Sequence, residues 1–198
     1  AITINVLADD TRTDLAQLTD PSIASVGKAQ NGKVVIQAQA DTVTLAGLSE
    51  GDSFSVTVSG TTSTFNVSGA NASAIRSNII DTINSDASIN AVVTAKAVSG
   101  GADQITLTAL ELGVPFNATV SGGSSSVSTT TANGSVVYTP NKNFFGQDTF
   151  TYTASNNLGD NSSYDSATVT VTVSPTNDGP IAKADFGTAA NAMAPVII

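Results

Sequence analysis

Apolar residues alternate with Ser, Thr or Asn at period two in five separate stretches, and that rhythm limits the chain to β-structure more than any other feature. In ATVTVTVS, Ala167, Val169, Val171 and Val173 share one face and Thr168, Thr170 and Thr172 the other. TFTYTA aligns Phe150, Tyr152 and Ala154, and FSVTVSG aligns Phe54, Val56 and Val58. QITLTA does the same with Ile105, Leu107 and Ala109, and ITINVL opens the chain with Ile2, Ile4 and Val6. Each set is expected to face a core.

One stretch breaks the rhythm. In NASAIRSNIIDTINSDA, Ile75, Ile79 and Ile83 sit four apart with Ile80 beside them, which predicts a helix near residues 72–86 with one apolar stripe. Asn71 or Ser73 can cap its start. A second helical candidate, TDLAQLTD, is short and ends at Pro21.

Composition agrees with a β-rich chain and removes several functions. Of the 198 residues 40% are hydrophobic, enough for a core, but only 12% are charged, so Ser, Thr, Asn and Gly must cover much of the surface. The net charge of −9 argues against nucleic acid as a partner, since a basic patch supplies most of that affinity. The same charge suits a cation, calcium above all. With neither Cys nor His, disulfides, thiolate chemistry and the usual zinc ligands are absent, as is the commonest general base. No apolar run is long enough for direct membrane insertion as a helix. No Gly-x-Ser-x-Gly elbow, P-loop or Gly-x-Gly-x-x-Gly occurs, and the chain is read as non-catalytic.

An internal echo bears on organisation. AQNGKVV (residues 29–35) and TANGSVV (131–137) share Asn-Gly followed by x-Val-Val. Asn-Gly favours tight turns, so a turn is expected at each copy. Residues 33–38 and 135–139 are expected to lie close in one domain.

From Asn133 onward the sequence resembles the second half of a bacterial cadherin-like, immunoglobulin-like tandem repeat. Such repeats build the large type I-secreted, repeats-in-toxin adhesins. The resemblance rests on Asn133, Gly134, Tyr138, Thr139 and Pro140, then Phe145, Gly146, Asp148, Phe150 and Tyr152. The Val-Thr strand and Asn177, Asp178 and Pro180 complete it. ITINVLADDTRTD and IASVGKAQNGKVVI resemble the family's earlier strands more weakly. The resemblance implies a mainly β chain: an Ig-like or cadherin-like β-sandwich split by an inserted small α+β domain. The sandwich would take residues 1–40 and 130–179, and the insert residues 41–129. Residues 180–198 would be the linker and first strand of a following repeat. It also implies an extracellular place on the bacterial cell surface. The expected partners are neighbouring repeats of the same chain; the strand in 180–198 would pair either with a second copy by strand exchange, giving a homodimer or open polymer, or back onto its own sandwich.

The family's junctions often hold calcium, so the resemblance nominates Asp9, Asp10, Asp178 and Asp185 as metal ligands. The competing reading is that these are solvated turn residues.

Five of the chain's ten aromatic side chains fall between Val136 and Ser155. Their alternation favours a sandwich core over a binding surface. Phe144 and Phe145 are adjacent, so one should point away from that core, against the insert. Two functions stay open: a structural or extender module of an adhesin, supporting adhesion or biofilm formation, and a carbohydrate- or peptide-binding module carried by the insert. The insert's aromatics are Phe54, Phe65 and Phe116, with no Trp or Tyr, which favours the first.

Overall fold

A computed structural model describes residues 1–10, 21–101, 103–155 and 164–176. The second helical candidate, Asp14 and everything from Asn177 onward lie outside the described residues.

Among the described residues the first strands are β1 (Ile2–Asn5), β2 (Ser22–Val26) and β3 (Gly32–Ile36), and the last are β11 (Ser135–Pro140), β12 (Gly146–Ser155) and β13 (Tyr164–Val173). Between them lie β4 (Ala40–Thr44), β5 (Ser53–Val58), β6 (Thr61–Asn66), α1 (Ala72–Ser85), β7 (Val93–Ala97), β8 (Gln104–Ala109), β9 (Ala118–Ser121) and β10 (Ser126–Thr131).

The outer six strands make two antiparallel sheets, β1-β11-β3 and β13-β12-β2. Val136 and Tyr138 from the first sheet meet Ile23, Phe150, Tyr152 and Val171 from the second in one hydrophobic core. The rings of Tyr138 and Phe150 lie nearly parallel, 6.5 Å apart. The inner elements make two further sheets, β10-β4-β8-β7 and β6-β5-β9. Phe54, Val56, Ile105 and Leu107 form their core with Ile75, Ile79 and Ile83 of α1. Period-two alternation thus buries one face of each central strand, as hydrophobic burial requires.

The helix follows the same logic at its own period. Asn71 is the N-cap, its side-chain oxygen accepting from Ala74 N at 3.0 Å, while Ser73 lies within the helix. The Ile75–Ile79–Ile83 stripe is buried, with Ile79 fully enclosed. The helix ends where Asp86 turns extended and donates its N–H to Thr82 O.

The chain passes between the two cores almost without a loop. Gln37 N donates to Ser135 O at 2.8 Å, extending the β3–β11 pairing, and Ala38 already packs against the inner core. The Gln39 carbonyl then accepts from Ala109 N. The return is as short: Thr131 pairs with Ala40, and Gly134 O accepts from Val6 N. A third contact joins the loop after β8 to β2, where Ile23 N donates to Gly113 O at 2.9 Å. Gly113 has φ +76, and a Cβ there would meet Ile23 O at 2.5 Å.

Three expectations need correction, and of the two turns expected at Asn-Gly one is present. Asn133–Gly134 is a tight turn with Gly134 at φ +84, but it carries the chain from β10 in one sheet to β11 in another. Asn31–Gly32 is not a left-handed turn. Gly32 opens β3, and it must be glycine because the ring of Tyr138 occupies the space a Cβ would take. Ile2 and Ala167 keep the expected phase but are exposed, since both lie on outer strands near their ends. Phe145 points away from the core as expected, but into solvent, being 65% exposed.

Candidate functional site

A multiply bonded polar group among the described residues is the Asp148 carboxylate, at an inward position of β12 in phase with Phe150 and Tyr152. It is buried, and it accepts from Tyr138 Oη (2.9 Å) and from the backbone N–H of Asn31 (2.9 Å), Gln30 (3.2 Å) and Thr149 (3.0 Å). Burial by itself would raise its pKa, but the donors, Tyr138 foremost, outweigh it and hold the carboxyl below its ordinary value. Burial first, and then the Asp148 carboxylate, push the Tyr138 hydroxyl up to about 12. This carboxylate ties the crossover between β2 and β3 to both sheets. It is a structural clamp, with every acceptor direction already engaged.

A second carboxylate–tyrosine pair stands four residues further along β12. Tyr152 Oη donates to Asp10, lying 2.9 Å and 3.0 Å from its two carboxylate oxygens. The phenol is raised to about 12, by burial first, then by the Asp10 bond, with the charges of Asp10, Asp9 and Asp165 adding to it. Asp9, Asp10 and Asp165 therefore make an acidic rim at this end.

Asp9 and Asp10 of the nominated calcium ligands lie on this rim, while Asp178 and Asp185 are outside the described residues. Calcium takes six to eight oxygens. Among the described residues no group of three or more acidic side chains gathers closely enough to hold a metal ion. The rim would need further oxygens from elsewhere in the chain to hold calcium.

The inner core leaves no aromatic platform. Phe54 and Phe116 are buried, and Phe65 packs against the core with its ring 5.8 Å from that of Phe54. Gln39, itself buried, accepts from Phe116 N at 3.0 Å and donates to Phe116 O at 2.7 Å, acting as a substitute strand neighbour. A shallow cleft of about 80 Å³ lies between the 45–48 loop and the start of α1, lined by Leu45, Leu48, Ala72, Ile75 and Asp103. Ligand pockets for small molecules are usually several times larger, roughly 300 Å³ or more.

The Asp148 clamp is absent from the sites expected from sequence. Its signal was present: a carboxylate in the buried phase of TFTYTA, two residues before Phe150. Buried charge of that kind is retained only with several partners.

No curated protein matches the chain. A family model for the bacterial Ig domain matches residues 70–174, from just before α1 to the end of β13. That span is more than half of the chain, and it includes β11, β12 and β13 with the Tyr138–Asp148 clamp. The chain belongs to the bacterial Ig domain family.

Proposed function

We propose that the chain is a non-catalytic extender module of a bacterial cell-surface adhesin of the type I-secreted kind, supporting adhesion or biofilm formation. In this reading an Ig-like sandwich of residues 1–40 and 130–179 carries residues 41–129 as an inserted α+β domain. The β3–β11 pairing and the separate compositions of the two cores support that division. Neighbouring repeats are the expected partners, with calcium at the junction, drawn to Asp9, Asp10, Asp178 and Asp185.

The observation that carries the reading is the fate of the large side chains. The aromatics of both cores are spent on packing, and the polar hub at Asp148 is saturated. Among the described residues these groups serve packing and clamping, which suits a spacer, whose needs are stability and length. The test displays the chain on a non-adherent bacterial strain and scores aggregation and surface attachment, beside a glycan array probed with the same protein. Aggregation with a blank array is expected. A saturable glycan or peptide ligand mapping to residues 41–129 would replace this reading with a ligand-binding one.

A further inference from the structure

β13 is an outer strand. It pairs with β12 along its whole length, from Tyr164 to Val173, without a bulge, and among the described residues no strand pairs with its other edge. The direction of its backbone groups follows from a bond on the neighbouring strand. Gly27 N donates to Thr151 O at 2.8 Å, so Thr151 turns its backbone groups toward β2. By alternation Phe150 and Tyr152 turn theirs toward β13. Their partners there are Val169 and Ala167. It follows that Ser166, Thr168, Thr170 and Thr172 direct their N–H and C=O groups outward, the Ser166 N–H being engaged by Asp165 Oδ1 at 2.8 Å and the three Thr residues standing at the free edge.

Exposed edges are normally guarded by Lys, Pro or a bulge. The stretch YDSATVTVTV has no Lys and no Pro, and its one charge, Asp165, is near its end. On a chain of net charge −9 this is a neutral strip where a second copy can approach with little repulsion.

The strip is also self-complementary. About Val169, Thr168 mirrors Thr170, Ala167 mirrors Val171 and Ser166 mirrors Thr172. A two-fold axis at Val169 sets Thr168 against Thr170 of the partner subunit as a hydrogen-bonded pair, with hydroxyls facing hydroxyls. Ala167 meets Val171 of the partner subunit on the core face. Asp165 falls opposite Val173 of the partner subunit, so the two carboxylates stay at opposite ends.

We propose that the free edge of β13 pairs antiparallel with β13 of a second copy about this axis, joining the two β13-β12-β2 sheets into one. This rests on strand geometry and stands apart from the adhesin reading, since its readout is mass in solution and not attachment of cells.

Sedimentation of the whole chain over a wide concentration range should show monomer passing to dimer. Thr170→Pro removes an outward N–H without touching the β12 ladder, and Thr170→Lys adds a guard charge. Both should stay monomeric with unchanged circular dichroism and melting, and if the proline variant misfolds, the lysine variant decides. Because the chain has no Cys, Thr168→Cys and Thr170→Cys can be mixed under oxidation, and they should cross-link as a mixture far more than either does alone. A wild-type chain that is monomeric at every concentration, a dimer that survives Thr170→Lys, or cysteines that cross-link no better mixed than alone would each overturn the proposal.

Discussion

Val35 stands directly opposite Val137 in the ladder between β3 and β11, although the whole stretch from Ala40 to Thr131 separates them in sequence. Excising residues 41–128 and bridging the ends with a short turn should therefore leave a folded β-domain, less stable by the lost Ile23–Gly113 contact. Dispersed NMR signals and a cooperative melt are expected. A collapsed, non-cooperative product would mean that the outer core depends on the inner one.

Ile79 is fully enclosed by the inner core. Ile79→Ala should cost about 2–4 kcal/mol in chemical denaturation, the usual loss for truncating a buried Ile. A change below about 0.5 kcal/mol would contradict the packing of α1 against β7 and β8.

Gly32 faces the ring of Tyr138 with no room for a methyl group. Gly32→Ala should destabilise by about 1–3 kcal/mol through overpacking. The double variant Gly32→Ala with Tyr138→Leu should cost less than the two single changes added together, because the clash is then gone. Simple additivity would place the strain elsewhere.

The Asp148–Tyr138 bond makes stability depend on pH at both extremes. The Asp148 pKa is lowered in the folded chain, so its contribution is complete above the ordinary carboxyl value of about 4 and is lost as pH falls through the folded pKa. The Tyr138 pKa is raised to about 12, so its contribution is complete below the ordinary phenol value of about 10 and is lost as pH rises from there toward 12. Asp148→Asn should lower the melting temperature at neutral pH and flatten the acid limb of the profile. An unchanged acid limb would remove Asp148 as its source.

Calcium at the Asp9–Asp10 rim would stabilise only the folded chain, so millimolar calcium should raise the melting temperature over a chelator control. Asp9→Asn leaves the Tyr152–Asp10 bond in place and should abolish the rise. Equal melting with calcium and with chelator would rule out binding at this rim.

Local pattern reported the burial of single strands well. Phe54, Val56 and Val58, then Ile105 and Leu107, and the Ile75–Ile79–Ile83 stripe all lie where their periods put them. Pattern failed where the deciding fact was a neighbour distant in sequence. Asn31–Gly32 reads as a turn, yet its glycine answers to Tyr138. Ile2 and Ala167 have the right phase, but an outer strand has no cover on one side. Phe145 goes to solvent while the adjacent Phe144 is half-buried, a choice that two neighbouring Phe residues do not reveal in sequence. The phase of Asp148 could be read from TFTYTA, but its partners could not, because the 30–31 amides that bond it lie over a hundred residues away.

The central place of β11, with β1 on one side and β3 on the other, also sets a timetable. β1 and β3 do not pair with each other, so both must wait for a strand made roughly a hundred residues later. At roughly 5–20 residues per second of synthesis, that wait lasts several seconds or more. Within the segment between them the β5–β6 and β7–β8 pairings can form during the delay, but β10, which pairs with β4, is made only just before β11. β1 and β3 are thus among the last of the described strands to find their place, and until then their open edges are where misassembly can begin.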